Sequence, residues 1–195
     1  MTTQEILEAA RGAKAALALA DSAARAQALH SMAAQLCSPA SMTAILAANA
    51  DDMAAAKGHI SDVMLDRLAL TEERIRAMAK GIEEVAALPD PVGRVLKRVE
   101  RPNGLVIEKT AVPMGVIAII YESRPNVTSD AAALAIKSGN ACILRCGKEA
   151  WRSANAIVQA LRQGLRENGL PENAVCLIED TTHASANALM TAVGY

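Results

Sequence analysis

The sequence predicts an α/β fold in which a helical region and a β-hairpin precede a doubly wound parallel sheet. Residues 2 to about 90 carry apolar side chains at helical spacing, whereas residues 93–111 switch to a period of two. Residues 112–195 alternate short apolar strands with helices of about ten residues or more. Strands joined by such helices form parallel sheets with right-handed crossovers, so the last third predicts half of a doubly wound domain.

The helical region, residues 1–92, has recognisable start signals. Thr2 with Glu5 forms a capping box, Asp21 can cap a second helix, and Ser38 precedes a proline at the first helical position. After Thr71 an apolar stripe follows the helical period: Ile75, Met78, Ala79, Ile82 and Val85. Such stripes are typical of core packing, and we expect no ligand site in this region.

The hairpin is predicted at residues 93–111. Its turn is Arg101-Pro-Asn-Gly104, and Asn-Gly is a strong signal for a short hairpin turn. Two strands alone are marginally stable in water, so the ribbon has to lie against its own domain or against another subunit.

Three loops follow the strands predicted at 115–120, 141–145 and 174–178, with helices predicted at 128–138, 149–167 and 185–192. Ligands of open parallel sheets bind beyond the carboxyl ends of the strands. Arg145 and Lys148 flank Gly147 at one such end, and two cations beside a glycine suit a phosphate on a nucleotide ribose. No GxGxxG motif is present, so a dinucleotide has to be held in another manner.

Composition excludes several classes of protein. The net charge of −1 and the absence of a Lys/Arg run argue against nucleic-acid binding. No apolar stretch approaches the roughly 20 residues that span a bilayer, and the first residues lack a basic targeting segment. The four cysteines form no CxxC pair, and the three histidines share no ligand spacing, so we expect reduced thiols, no metal site and a cytoplasmic location.

The order of motifs along essentially all 195 residues closely resembles the gamma-glutamyl phosphate reductase family, the glutamate-5-semialdehyde dehydrogenases of the aldehyde dehydrogenase superfamily. The matching motifs are Leu65-x-x-Leu68-x-Leu70-Thr-Glu-Glu-Arg-Ile75, Arg101-Pro-Asn-Gly104, Val112-Pro-x-Gly-Val-Ile117, Tyr121-Glu-Ser-Arg-Pro-Asn-Val-Thr128, Lys137-Ser-Gly-Asn140 and Ile178-Glu-Asp-Thr181.

This resemblance implies an oxidoreductase of proline biosynthesis that uses NADPH to reduce L-glutamyl 5-phosphate to L-glutamate 5-semialdehyde and phosphate through a cysteine thioester. It implies an aldehyde-dehydrogenase-like fold in which residues 1–92 belong to the cofactor domain, 93–111 form an oligomerisation arm and 112–195 form the Rossmann-like part. The catalytic domain with the nucleophilic cysteine is expected to be absent from the chain, which by itself is expected to be inactive. The resemblance also implies a homo-oligomer and functional coupling with glutamate 5-kinase. The alternatives are a non-catalytic fragment or subunit and another acyl or aldehyde dehydrogenase.

The resemblance also assigns candidate site residues. Those for substrate or oxyanion binding are Ser123, Arg124 and Asn126. Those for the cofactor are Tyr121, Glu122, Pro125, Arg145, Gly147, Lys148, Glu149, Glu179, Asp180 and Thr181. Lys148 favours NADPH over NADH because it adds positive charge. Asn126 is either an amide donor or a helix cap, with Thr128 as a second cap, and Thr181 is either a phosphate ligand or a cap. Cys146 lies beside two cations that can lower its pKa, although it matches a family glycine at the cofactor end.

Overall fold

Five helices lie within the first 87 residues of the computed structural model, which describes residues 1–195. They are α1 Thr3–Leu19, α2 Ser22–Leu36, α3 Pro39–Ala56, α4 Asp62–Leu68 and α5 Glu72–Ala87. The predicted caps at Thr2, Asp21 and Ser38 all accept a first-turn backbone N–H, and Thr2 with Glu5 closes the capping box. These three helix starts are therefore confirmed.

The hairpin consists of β1 Val95–Glu100 and β2 Val106–Thr110, which pair only with each other. Gly104 in the turn has φ +83°, a conformation that favours glycine. Apart from the half-buried Val99, every residue of both strands is exposed. We expected the ribbon to lie either against its own domain or against another subunit. Packing against its own domain is not observed.

The parallel sheet has the strand order β3-β4-β5, with β3 Val116–Ile120, β4 Ala141–Arg145 and β5 Val175–Leu177. The crossovers are α6 Pro125–Lys137 and α7 Trp151–Glu167, and α8 His183–Thr191 follows β5. The predicted alternation of strands and helices is confirmed.

Two helix starts were predicted too late: α8 begins at His183 and not at about 185, and α6 begins at Pro125 and not at 128. Proline suits the first helical position because its φ is already helical and its missing N–H would have had no partner there. Arg124 takes the N-cap position in an extended conformation and makes no side-chain capping bond. The expectation that Asn126 or Thr128 caps this helix is therefore incorrect.

Two hydrophobic clusters cover the two faces of the sheet. Leu144 and Leu177 belong to the larger one, which includes residues of α2, α5, α6 and α7, whereas Ile143 and Cys176 belong to the smaller one with residues of α1 and α8. Side chains of a strand alternate between faces, so each strand serves both layers. None of the helices combines the length and the apolar character needed to cross a bilayer.

A buried carboxylate fixes the start of α7 from outside that helix. Asp52 of α3 is 1% exposed, and its Oδ2 accepts hydrogen bonds from the backbone N and the Oγ of Ser153, both at 2.7 Å. Carboxylates at helix N-termini satisfy N–H groups that have no partner within the helix. Asp52 thereby holds in place the segment that follows β4.

Candidate functional site

The carboxyl ends of the three parallel strands meet at one edge of the sheet, as expected. Ile120 at the end of β3 is in register with Arg145 at the end of β4, and the backbone N of Tyr121 donates to the Arg145 carbonyl at 3.0 Å. The loops 121–124, 146–150 and 178–182 therefore lie side by side, and they contain most of the candidate residues.

The first and second loops are joined by a close contact. The Ser123 hydroxyl donates to Glu149 Oε2 at 2.7 Å, and Ser123 is only 7% exposed. A Cβ atom on Gly147 would lie 2.4 Å from Ser123 Oγ, which is closer than real Cβ contacts. The backbone at Gly147 is thus closely approached by Ser123. A close approach of the Gly147 backbone to a ligand stays a prediction.

The second and third loops are joined by Arg145. Its Nη2 donates to the carbonyls of Thr181 at 2.5 Å and Thr182 at 3.0 Å. The guanidinium group therefore orients the third loop directly. Thr182, and not Thr181, occupies the N-cap position of α8, and neither side chain caps that helix.

A cleft of about 360 Å³ opens beside these contacts, and we call it the strand-end cleft. It is lined by Lys148, Trp151, Arg152, Glu179 and Thr181. Three predicted cofactor residues, Lys148, Glu179 and Thr181, are thereby brought together. Glu179 also pairs with the amino group of Met1 at 2.5 Å.

Arg152 was not singled out from the sequence. Its Nη1 lies 3.4 Å from Oδ1 of the buried Asp52, and its side chain is 55% exposed. The sequence signal that could have identified Arg152 is its spacing of four residues, about one helical turn, from Lys148. Trp151, which also lines the strand-end cleft, donates from its Nε1 to the Ile178 carbonyl at 3.0 Å.

A second cleft, of about 430 Å³, lies between α4, α5 and the start of α6, and we call it the α4–α6 cleft. Its polar lining residues are Asp66, Arg67, Arg74, Arg124, Asn126 and Asp130. Two predicted substrate residues, Arg124 and Asn126, meet here. The other four were missed, because no local pattern relates α4 and α5 to the loop after β3.

The remaining candidates line neither cleft. The Tyr121 hydroxyl is 2.7 Å from Thr128 Oγ1, and burial, with the nearby Cys146 thiol, raises the tyrosine pKa. Glu122 is exposed and Pro125 is buried. Asp180 accepts bonds from the N and Oγ1 of Thr182 at 2.8 and 3.0 Å, which lower its pKa. These residues support loop structure, and their cofactor roles stay predictions.

The cysteines lack the environment of an activated thiolate. Cys146 is 1% exposed, and burial raises its pKa to about 12, an effect larger than the opposing influence of Arg145. Arg145 does lower this pKa, as expected of a neighbouring cation, but burial outweighs it and the net shift is upward. Burial also raises the pKa of Cys142 and Cys176, and Cys37 is half-buried at the end of α2.

Comparison with known proteins places this arrangement in a family. Residues 1–194 match the model of the aldehyde dehydrogenase family. The chain is 55% identical over its full length to gamma-glutamyl phosphate reductase of Streptococcus pneumoniae, of which it spans 46%.

The crystal structures of gamma-glutamyl phosphate reductase from Thermotoga maritima and Saccharomyces cerevisiae superpose on the chain with TM-scores of 0.90 and 0.84, at 39% and 34% identity. The superpositions cover 94% and 93% of this chain and 44% and 47% of those structures. The chain thus spans about half the length of the relatives it matches. From the match over residues 1–194, the chain belongs to the aldehyde dehydrogenase family.

Proposed function

We propose that this protein acts in the NADPH-dependent reduction of L-glutamyl 5-phosphate to L-glutamate 5-semialdehyde and phosphate, a step of proline biosynthesis. The observation that carries the proposal is the 55% identity with gamma-glutamyl phosphate reductase along all 195 residues. The two clefts support it, because the strand-end cleft offers cations for a cofactor phosphate and the α4–α6 cleft offers arginines for an anionic substrate.

The strand-end cleft fits NADPH by its donor set. Lys148 is exposed at the end of β4, and Arg152 is held nearby by Asp52, so two cations can contact a ribose 2′-phosphate. Glu179 is the one acidic lining residue, and the amino group of Met1 offsets its charge. NADPH, when bound, supplies the hydride; the residues of this chain bind it and orient it.

The acyl-transfer thiolate is proposed to come from outside residues 1–195. It displaces phosphate from the acyl phosphate to form a thioester, which accepts hydride and then releases the aldehyde and the thiolate. The burial and raised pKa of Cys142, Cys146 and Cys176 make them poor nucleophiles. We therefore expect the purified chain to bind NADPH without oxidising it, and turnover of L-glutamyl 5-phosphate by the chain would contradict this assignment.

The exposed hairpin supports a proposed homo-oligomer. Val95, Leu96, Leu105, Val106 and Ile107 are each between 43% and 56% exposed. Apolar ribbons of this kind are typical of contacts with another subunit. We also propose a cytoplasmic location. In addition we propose functional coupling with glutamate 5-kinase, because an acyl phosphate hydrolyses in water and a nearby source of it limits that loss.

Calorimetric titration of the chain with NADPH and NADH tests the cofactor role. We expect tighter binding of NADPH, and Lys148→Glu should weaken NADPH binding about tenfold while leaving NADH binding unchanged, since it removes one charge-assisted contact. Lys80→Glu, an exposed lysine on α5, is the matched control and should change neither affinity. Equal losses for both cofactors would remove the 2′-phosphate role, and failure to bind either would contradict the proposed function.

A further inference from the structure

The α4–α6 cleft contains charges that the protein leaves without partners. Arg124 belongs to none of the ion pairs of the chain, although it is half-buried and its Nε is buried without a hydrogen-bond partner. A buried donor without a partner costs free energy, and the Arg124 side chain, which makes no ion pair, is available to a group from outside the chain.

The second arginine of the cleft is occupied by the protein itself. Arg74 donates to the carbonyls of Asp66 and Ala69 and to the Asp66 carboxylate at 2.8 Å. These bonds neutralise Asp66 and fix the junction of α4 with α5. Arg74 and Asp66 therefore line the cleft as a pair already bonded to each other, and not as free charges.

The third arginine and the second carboxylate remain available. Arg67 is exposed and belongs to no ion pair. Asp130, one turn into α6, contacts only the Asn126 amide, at 3.3 Å. Partial burial raises the pKa of Asp130, in keeping with a carboxylate that no cation neutralises. The cleft thus presents two free guanidinium groups and one free carboxylate.

This pattern is complementary to a zwitterion. Guanidinium groups bind carboxylates with two parallel hydrogen bonds, and a carboxylate accepts bonds from an ammonium group. We infer that the α4–α6 cleft binds the α-amino acid head group of the substrate, with Arg124 and Arg67 on its α-carboxylate and Asp130 on its α-ammonium group. The inference rests on the proposed function and adds to it the residues that select an amino acid over a simple acyl phosphate.

The position of the cleft suits that task. Arg124 directly follows Ser123, which is bonded to Glu149 of the loop after β4. The α4–α6 cleft and the strand-end loops are therefore linked through the residue next to Arg124. A substrate anchored by its amino acid end is held beside the cofactor loops, which is the purpose of binding groups remote from the reacting atoms.

Titration of the chain with L-glutamate, followed by backbone amide NMR shifts, tests the inference. We expect shifts confined to residues 66–78 and 124–130, and affinity at least about tenfold lower for glutarate, which lacks the ammonium group, and for 4-aminobutanoate, which lacks the α-carboxylate. Arg124→Gln should weaken L-glutamate binding by a similar factor. Asp130→Asn should weaken L-glutamate but leave glutarate unchanged.

Arg76→Gln is the matched control, because Arg76 is an exposed arginine on α5 paired with Glu72, outside the cleft. Equal affinity for L-glutamate and glutarate, or unchanged L-glutamate binding in Arg124→Gln, would overturn the inference. The same samples titrated with NADPH separate the two proposals. If the unmodified chain binds NADPH but not L-glutamate, only this inference is contradicted. If it binds neither, the proposed function is contradicted as well.

Discussion

The contact of Ser123 with Gly147 shows how single residues shape the strand-end loops. Gly147 has φ −61°, which any residue adopts, so glycine is required there for space and not for backbone freedom. The space is needed because Ser123 Oγ lies against Gly147, where it donates a hydrogen bond to the carboxylate of Glu149. The sequence indicated that the glycine permits a close approach, but not which group approaches.

Gly147→Ala should lower stability by about 1–3 kcal/mol because its new Cβ overlaps Ser123 Oγ and one of the two loops has to move. We also expect weaker NADPH binding, since Lys148 is the next residue. Urea unfolding and calorimetric titration measure the two effects.

Removing the hydroxyl in Ser123→Ala provides the control for that prediction. In the Ser123→Ala background the Gly147→Ala change should cost less, because the nearest remaining atoms, Glu149 Oε2 and the backbone N of residue 123, both lie 3.2 Å from the new Cβ. An equal cost in both backgrounds would show that this contact does not determine the effect.

At the scale of elements, two helices that each contain an internal glycine differ in what packs against that glycine. α1 and α7 each contain a glycine within the helix, Gly12 and Gly164. A Cβ on Gly12 would meet nothing within 4 Å, whereas one on Gly164 would lie 2.5 Å from the backbone N of Met32 in α2. Gly164 therefore allows α7 and α2 to pack with their backbones close together.

Gly164→Ala should destabilise the protein by about 2 kcal/mol or more despite the higher helix propensity of alanine, because backbone atoms of α2 have to shift. Gly12→Ala, the matched control, should stabilise it by about 0.5–1 kcal/mol. Thermal and urea unfolding of the two variants give the comparison. Stabilisation by both changes would mean that the α2–α7 spacing is adjustable.

Element boundaries were predicted well where the signal is local. The caps predicted at Thr2, Asp21 and Ser38 all form, because a side chain and an N–H two or three residues later need no distant partner. The start of α6 was misplaced because two polar residues that resemble caps follow Pro125. Thr128 instead contacts the Tyr121 hydroxyl, a contact that depends on the path of the loop after β3.

At the scale of the whole molecule, Arg25 connects α2 to the segment that follows α5. Its side chain is 3% exposed and donates to Asp90 Oδ2 at 2.6 Å, and Asp90 also accepts from the backbone N of Val92 at 2.9 Å. Burial by itself would raise the pKa of Asp90, but these hydrogen bonds outweigh it and the pKa is lowered.

A lowered carboxylate pKa contributes stability that is present above the unfolded value, 3.8, and lost as the pH falls through the folded value. Asp90→Asn should therefore lower the free energy of unfolding at pH 7 by about 1–3 kcal/mol, with the difference shrinking as the pH falls below 3.8. Urea unfolding across this pH range checks it.

The matched control for Asp90 is Glu84→Gln, which removes an exposed carboxylate paired with Lys80. It should change stability by less than about 0.5 kcal/mol at every pH. A difference between Asp90→Asn and the unmodified chain that persists at low pH would mean that the carboxylate charge is not the cause.

The sequence by itself determined the order of helices and strands, the hairpin turn, the strand ends that bear the candidate residues and the family resemblance, because caps, periodicity and motifs are local properties. Only the tertiary structure decided that Arg145 orients the loop of Thr181, that Asp52 holds Arg152 beside Lys148, and that Arg67, Arg124 and Asp130 share one cleft. Each of these meetings joins segments that are distant in sequence. Their meeting depends on how α3 packs on α7 and α5 on α6, which is set by burial of side chains over the whole core.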